Sequence, residues 1–175
     1  MCLVGLTAVS WTQAQSTPPA KSALDFSADP CGSPLVESQL WCSVDGTVMS
    51  VEDSSTVLIT VTKGHRRVKV HLVGIAVEQS GALAGEAKEH LAEMVLNESV
   101  GVLINTDWLY QKKKPMEITG VVQLREGGGD VSLSLIEKGL AHTVAPGPYT
   151  MSDYTFCKYR EAEKKAKSDK MGIWQ

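Results

Sequence analysis

Few side chains in this 175-residue chain have the types and spacing that catalysis requires. The stretch 68–79, VKVHLVGIAVEQ, is the main candidate, because it places His71, Glu78 and Gln79 on or just after an apolar strand pattern. An imidazole or a carboxylate can transfer protons, whereas the Gln79 amide cannot accept one. The carboxylate of Asp53 lies upstream in a predicted turn. The remaining histidines are scattered and show no metal-ligand spacing.

Two basic clusters offer a different chemistry, which is the binding of phosphates or acidic partners. The first is His65, Arg66 and Arg67. The second is Lys112, Lys113 and Lys114, with Trp108 and Tyr110 as candidate base-stacking groups. In a barrel we expect both loops to border the binding face, although loops of this kind are most simply solvated. The net charge of -3 argues against a surface devoted to nucleic acid.

The elements that position these residues follow from hydrophobic periodicity. Alternation predicts strands over 47–51, 56–62 and 68–75, joined by short turns into an antiparallel meander, and two more over 100–105 and 118–124. Helical periodicity predicts a central helix over 82–96, a short helix over 131–138 with Asp130 as its N-cap, and a charged helix over 152–170. This order fits a mainly β, α+β fold, a five-stranded barrel of the oligonucleotide/oligosaccharide-binding (OB) type with about three helices.

The N-terminal part has a different composition. Residues 1–15 contain an apolar run that resembles the core of a secretory signal, although no basic residues lead it. The run is well below the roughly 20 apolar residues of a membrane-spanning helix. We therefore expect a signal or apolar tail over 1–15, a linker over 16–43, and one domain over 44–175. Export to a periplasmic or extracellular space is the expected localisation, and a soluble intracellular protein is the alternative.

Three cysteines would remain after removal of such a signal, namely Cys31, Cys42 and Cys157. Their number allows one bridge and one leftover thiol. Proximity in sequence favours a bridge from Cys31 to Cys42. Buried or free thiols are the open alternative.

Three motifs give the chain a family resemblance from about Val44 to Trp174. They are VKVHLVGI, SLSLIEKGLA and YREAEKKAKSDKMGIW, in that order along the chain. They resemble V-R-L-x-G-I, N-x-x-L-V-x-x-G-L-A and the Y-x-x-A-E-x-x-A…G-(I/L)-W ending of the staphylococcal-nuclease-like (thermonuclease-like) family. The resemblance implies an OB-type barrel. It also implies cleavage of DNA and RNA with a calcium ion, two aspartates, a glutamate base and two arginines.

The resemblance also shows which residues stand at the family's catalytic positions. The D-G-D-T-(V/I) turn falls on residues 53–57, so Asp53 is kept and Ser55 replaces the second, metal-binding aspartate. The first arginine falls on His71. The I-D-x-P-E motif falls on residues 75–79, where Ala76 replaces an aspartate and Gln79 replaces the general base. The second arginine falls on Thr119.

Five roles are thus missing together, and no catalytic residue set is intact. We therefore expect a nuclease-like barrel without a calcium site or other cofactor. Its expected function is that of a binding or structural module in a larger assembly, with protein partners rather than nucleic acid. One alternative is a divergent metal-dependent phosphodiesterase that uses Asp53, His71 and Glu78, the last after a one-residue shift in register. The other is a module that binds nucleic acid through its basic loops without cleaving it.

Overall fold

The computed structural model describes residues 29–32, 41–105, 117–147 and 150–175. The strands are β1 Trp41–Asp53, β2 Thr56–Val61, β3 Arg67–Leu72, β4 Ile75–Ala76, β5 Ser99–Asn105, β6 Glu117–Leu124 and β7 His142–Thr143. The helices are α1 Ala82–Val95, α2 Val131–Glu137 and α3 Asp153–Ser168, and a 3-10 turn follows at Gly172–Trp174.

Five of the strands form a closed barrel in the order β1-β2-β3-β6-β5, which confirms the predicted α+β barrel with three helices. Strands β1, β2 and β3 form the expected antiparallel meander. Their alternating apolar side chains point inward, as Val57, Ile59, Val68 and Val70 are at most 2% exposed. Closure comes from parallel pairing of β3 with β6, which places His71 opposite Thr119.

Strand β1 is much longer than the predicted 47–51, because its first half pairs with β5 and its second half with β2. Irregular register after Val48 and after Val51 bends the strand between its two partners. Bulges of this kind interrupt side-chain alternation, so the sequence pattern conceals the length of the strand. Gly46 of β1 lies close to the backbone of Thr60 in β2. A Cβ atom at position 46 would be only 2.8 Å from the Thr60 carbonyl oxygen, so a side chain does not fit there.

Helices α1, α2 and α3 lie outside the barrel and complete the core. Helix α1 buries Ala87, Leu91 and Val95 as the periodicity predicts. Helix α2 begins as predicted, since the carboxylate of Asp130 accepts a hydrogen bond from the Leu133 amide at 3.1 Å.

The motifs SLSLIEKGLA and YREAEKKAKSDKMGIW, which form most of α2 and of α3 with the turns after them, contact each other at a pair of glycines. Gly139 follows α2 with φ +68° and Gly172 follows α3 with φ +51°. The Ile173 amide donates to the Gly139 carbonyl at 2.9 Å, and a Cβ on either glycine would overlap the backbone of the other segment. Only glycine allows both the left-handed conformation and this close approach.

A disulfide joins Cys31 to Cys157 on α3, so the expectation of a Cys31–Cys42 bridge was wrong. The partner is 126 residues away in sequence, and only the fold brings the two thiols together. Cys42 instead lies on β1, opposite Ile104 of β5. Among the helices of the described ranges, none has the length and apolar character needed to cross a membrane.

Candidate functional site

The residues at the nuclease-like positions gather at one end of the barrel. Asp53 is the last residue of β1, Ser55 lies in the turn that follows, and the end of β3 carries His71. The Leu72 amide donates to the Ser55 carbonyl at 2.9 Å, which fixes the turn against the end of β3. The turn also contacts the segment after β4, because the buried Ser54 hydroxyl lies 3.5 Å from the Glu78 carbonyl oxygen.

The Asp53 carboxylate is occupied by its own turn. It accepts hydrogen bonds from the Ser55 amide at 2.8 Å and from the Ser55 hydroxyl at 3.1 Å. Partial burial opposes ionisation of Asp53, but these donors, together with Thr56, outweigh it and hold its pKa below the ordinary value. Ser55 therefore caps the acid that remains rather than supplying a second carboxylate.

His71 lies on the barrel surface, with 44% of its side chain exposed. Its Nδ1 is 3.2 Å from the hydroxyl of the buried Thr56, and its Nε2 is 3.7 Å from a Glu117 carboxylate oxygen. Glu117 also lies 3.6 Å from the Lys69 ammonium. His71 thus lies on the outer face of the barrel, where both ring nitrogens have polar neighbours and the Lys69–Glu117 ion pair is adjacent.

The other residues at the family's catalytic positions lie on the segment after β3 and on β6. Ala76 lies on β4 and pairs with His142 of β7. Glu78 and Gln79 are both exposed, and the Gln79 amide nitrogen donates to the Val77 carbonyl at 3.0 Å. Thr119 is exposed on β6 beside His71.

The structure separates the first basic cluster from this end of the barrel. His65 and Arg66 belong to the turn between β2 and β3, and Arg67 begins β3. His71 is four residues further along the extended strand than Arg67, which separates the two by about 13 Å. The second cluster, Lys112–Lys114 with Trp108 and Tyr110, lies outside the described residues.

Sequence patterns did not predict that Glu117 lies beside His71, or that Lys69 and Glu52 form an ion pair of 3.0 Å in the same surface network. Both depend on closure of the barrel or on the long β1, and neither feature leaves a local pattern. The network is half exposed, so it contributes little to folding stability. It does set the charge of this surface, where the Glu52 and Glu117 carboxylates both pair with Lys69 and the Lys88 ammonium donates to the Glu52 carbonyl at 2.8 Å.

What this end of the barrel can do chemically follows from its side chains. Within the described ranges, no three His, Cys, Asp or Glu side chains are grouped so that they could hold a metal ion. A calcium ion takes six to eight oxygen ligands, mostly from carboxylates. The residues at the implied calcium position, Asp53, Ser55 and Ala76, do not fit such an ion.

The fold and the position of this site define a five-stranded OB-like barrel, with the candidate site where the β1–β2 turn meets the end of β3. A family model described as staphylococcal nuclease homologue matches residues 65–175. Because the match spans more than half of the chain, the protein belongs to the staphylococcal nuclease homologue family. No curated protein matches the chain.

Proposed function

We propose that this protein is a non-catalytic member of its family, which acts as a binding or structural module in a larger assembly. The observation that carries the proposal is the state of the remaining carboxylate. Asp53 is hydrogen-bonded twice by Ser55, and no second carboxylate of the β1–β2 turn or of β4 lies beside it. The proposal includes the absence of a calcium ion or other cofactor.

The chemistry of phosphodiester cleavage supports the proposal. An attacking water needs a base, and the extra charge of the transition state needs fixed donors. Gln79 and Thr119 provide neither a base nor a guanidinium. Loss of a base or of one such donor typically slows an enzyme by about a hundredfold to a thousandfold, so the combined losses remove useful turnover.

The electrostatics of the site also argue against nucleic acid as the ligand at this end. Glu52 and Glu117 both pair with Lys69, and Asp53 stays ionised at neutral pH. These three carboxylates outnumber the ammonium groups of Lys69 and of Lys88, which donates to the Glu52 carbonyl at 2.8 Å, so this surface does not attract a phosphate backbone. We therefore propose a protein as the partner.

Export remains part of the proposal. The disulfide between Cys31 and Cys157 supports it, because such bridges persist in oxidising compartments. The apolar run within residues 1–15 supplies the matching sequence signal.

A cleavage assay tests the loss of chemistry. Labelled single-stranded DNA and RNA are incubated with calcium and with the wild type, Asp53→Asn or Glu78→Gln. We expect the same background rate for all three proteins. Turnover that disappears in Asp53→Asn or Glu78→Gln would instead establish the divergent phosphodiesterase.

Binding without cleavage is tested separately by titrating the same oligonucleotides at several salt concentrations. We expect weak binding that is unchanged when Lys112, Lys113 and Lys114 are all replaced by Gln. Tight binding that falls steeply with salt and is lost in this variant would show a nucleic-acid module. The assembly itself is tested by size-exclusion chromatography of a native extract, where elution at the monomer position would contradict the proposal.

A further inference from the structure

One feature of the fold has no part in the nuclease-like site. Residues 29–32 lie against α3, although Cys31 is 126 residues from Cys157 in the chain, and their disulfide, ion pair and side-chain hydrogen bond converge on one stretch of that helix. Cys31 bonds to Cys157. Asp29 forms an ion pair with Lys158 at 2.7 Å and accepts a hydrogen bond from the Tyr154 hydroxyl at 3.4 Å.

The two helix residues held by Asp29 also line a groove. This groove, of about 510 Å³, lies between α2 and α3 and has Asp130 and Leu133 among its lining residues. Tyr154 and Lys158 stand on its α3 side. The segment 29–32 thus occupies polar groups that a ligand of the groove would otherwise meet.

The noncovalent contacts of this segment are weak by themselves. The Asp29 and Lys158 side chains are 21% and 36% exposed, and ion pairs at such surfaces contribute little. Among the described residues, the other hydrogen bonds of this segment are internal: the Cys31 amide donates to the Asp29 carboxylate, and the Gly32 amide donates to the Asp29 carbonyl. The covalent bond is therefore what keeps the segment on α3.

We propose that the Cys31–Cys157 disulfide is a redox-controlled clasp, which holds residues 29–32 on α3 when oxidised and releases Tyr154 and Lys158 when reduced. Both cysteines are only partly buried, so a reductant can reach the bridge. The clasp does not depend on whether the domain is catalytic.

The step requires a dithiol reductant. Its thiolate attacks one sulfur of the bridge and forms a mixed disulfide, which its second thiol then resolves. Two electrons and two protons pass to Cys31 and Cys157, and the reductant leaves as a disulfide. The barrel is not involved, since its strands are joined by their own hydrogen bonds.

Amine labelling measures the release on the full chain. Oxidised and dithiothreitol-reduced protein are treated briefly with an acetylating ester, and each lysine is followed by mass spectrometry. We expect acetylation of Lys158 to accelerate severalfold on reduction. Lys165 lines the same groove without contacting Asp29, and its rate should not change.

Matched variants separate the clasp from other effects. Cys31→Ser should show the reduced pattern without reductant, whereas Cys42→Ser should behave as the oxidised wild type. Hydrogen exchange at the amides of Cys31 and Gly32 should accelerate about tenfold or more on reduction.

Two results would overturn the proposal. In the first, Lys158 labelling and amide exchange stay the same after reduction, so the noncovalent contacts hold the segment without the bridge. In the second, reduction abolishes the far-ultraviolet circular dichroism of the barrel, so the bridge maintains the whole fold and is not a local clasp.

Discussion

Replacement of Asp130 by Asn should remove a pH dependence of folding stability that the wild type shows between about pH 4 and pH 6. Asp130 accepts the Tyr159 hydroxyl with both carboxylate oxygens, at 2.9 and 3.0 Å, and Tyr159 is fully buried. Burial raises the pKa of Asp130 from 3.8 to about 6, although hydrogen bonds from Leu133 and Tyr159 oppose the rise.

The sign of the effect follows from proton binding. Between pH 3.8 and about 6, the folded protein keeps a proton on Asp130 that the unfolded chain has released. The stabilisation that comes from protonated Asp130 is therefore complete below pH 3.8 and is lost as the pH rises to about 6. A shift of this size corresponds to at most about 3 kcal/mol, and the position of Asp130 on an open groove reduces the expected effect to about 1–3 kcal/mol.

Urea unfolding of the wild type and Asp130→Asn from pH 4 to pH 8 measures this effect. Asn keeps an oxygen that can cap α2 and accept from Tyr159, but it does not titrate. The free energy of unfolding of the variant, minus that of the wild type, should rise by about 1–3 kcal/mol across the window. Subtraction removes the contributions of Asp29, Asp53 and Glu163, whose lowered pKa values act at more acidic pH.

A difference that does not change with pH would refute the reasoning. So would an Asp130 carboxyl that titrates near 4 by nuclear magnetic resonance. Tyr159→Phe provides an independent check. The phenol donor lowers the pKa of Asp130, so its removal should move the titration to higher pH.

Two further predictions concern the elements around α2 and α3. Gly139→Ala should lower the free energy of unfolding by about 2–4 kcal/mol in chemical denaturation, because it combines a left-handed backbone with steric overlap. Gly127→Ala, with φ +80° and no neighbouring atom, should cost only about 1–2 kcal/mol, and equal losses would contradict the packing argument. Glu163→Gln should lower the melting temperature at pH 7, and the difference from wild type should shrink as the pH falls below 4.5. Burial opposes ionisation of Glu163, but the hydrogen bonds from Thr143 and the ammonium of Lys167 together outweigh it and lower the pKa, so this stability is lost in acid. Glu161→Gln is the control and should change little, because the Glu161 side chain is 40% exposed and that of Glu163 only 16%.

Local patterns in the sequence were sufficient to predict most elements. Strands β2 and β3 follow from alternation that the barrel interior preserves, and the start of α2 follows from Asp130 before an apolar helical repeat. The glycines of the two helical motifs were recognisable as a family pattern. The contact between Gly139 and Gly172 could not be predicted, because it joins segments that are more than 30 residues apart in the chain.

The features that sequence analysis missed depend on distant parts of the chain. The bulges of β1, the parallel pairing of β3 with β6 and the Cys31–Cys157 bridge all require the closed barrel or the docked α3. Proximity along the chain favoured Cys42 for the bridge because chain distance is the only distance that a sequence shows.

The candidate site also has some features that the sequence predicts and others that depend on the fold. The identities of Ser55, His71 and Gln79 were sufficient to predict that the family's acids and donors are missing. The hydrogen bonds of Asp53 to its own turn and the position of Glu117 beside His71 became visible only in the fold.

Calcium titration followed by calorimetry, in the presence of a short nucleotide, tests the loss of the catalytic site most directly. We expect no saturable heat for the wild type and the same trace for Asp53→Asn. A saturable calcium isotherm in the wild type that is lost in Asp53→Asn would show that this end of the barrel still holds the metal, and would contradict the proposal of a non-catalytic module.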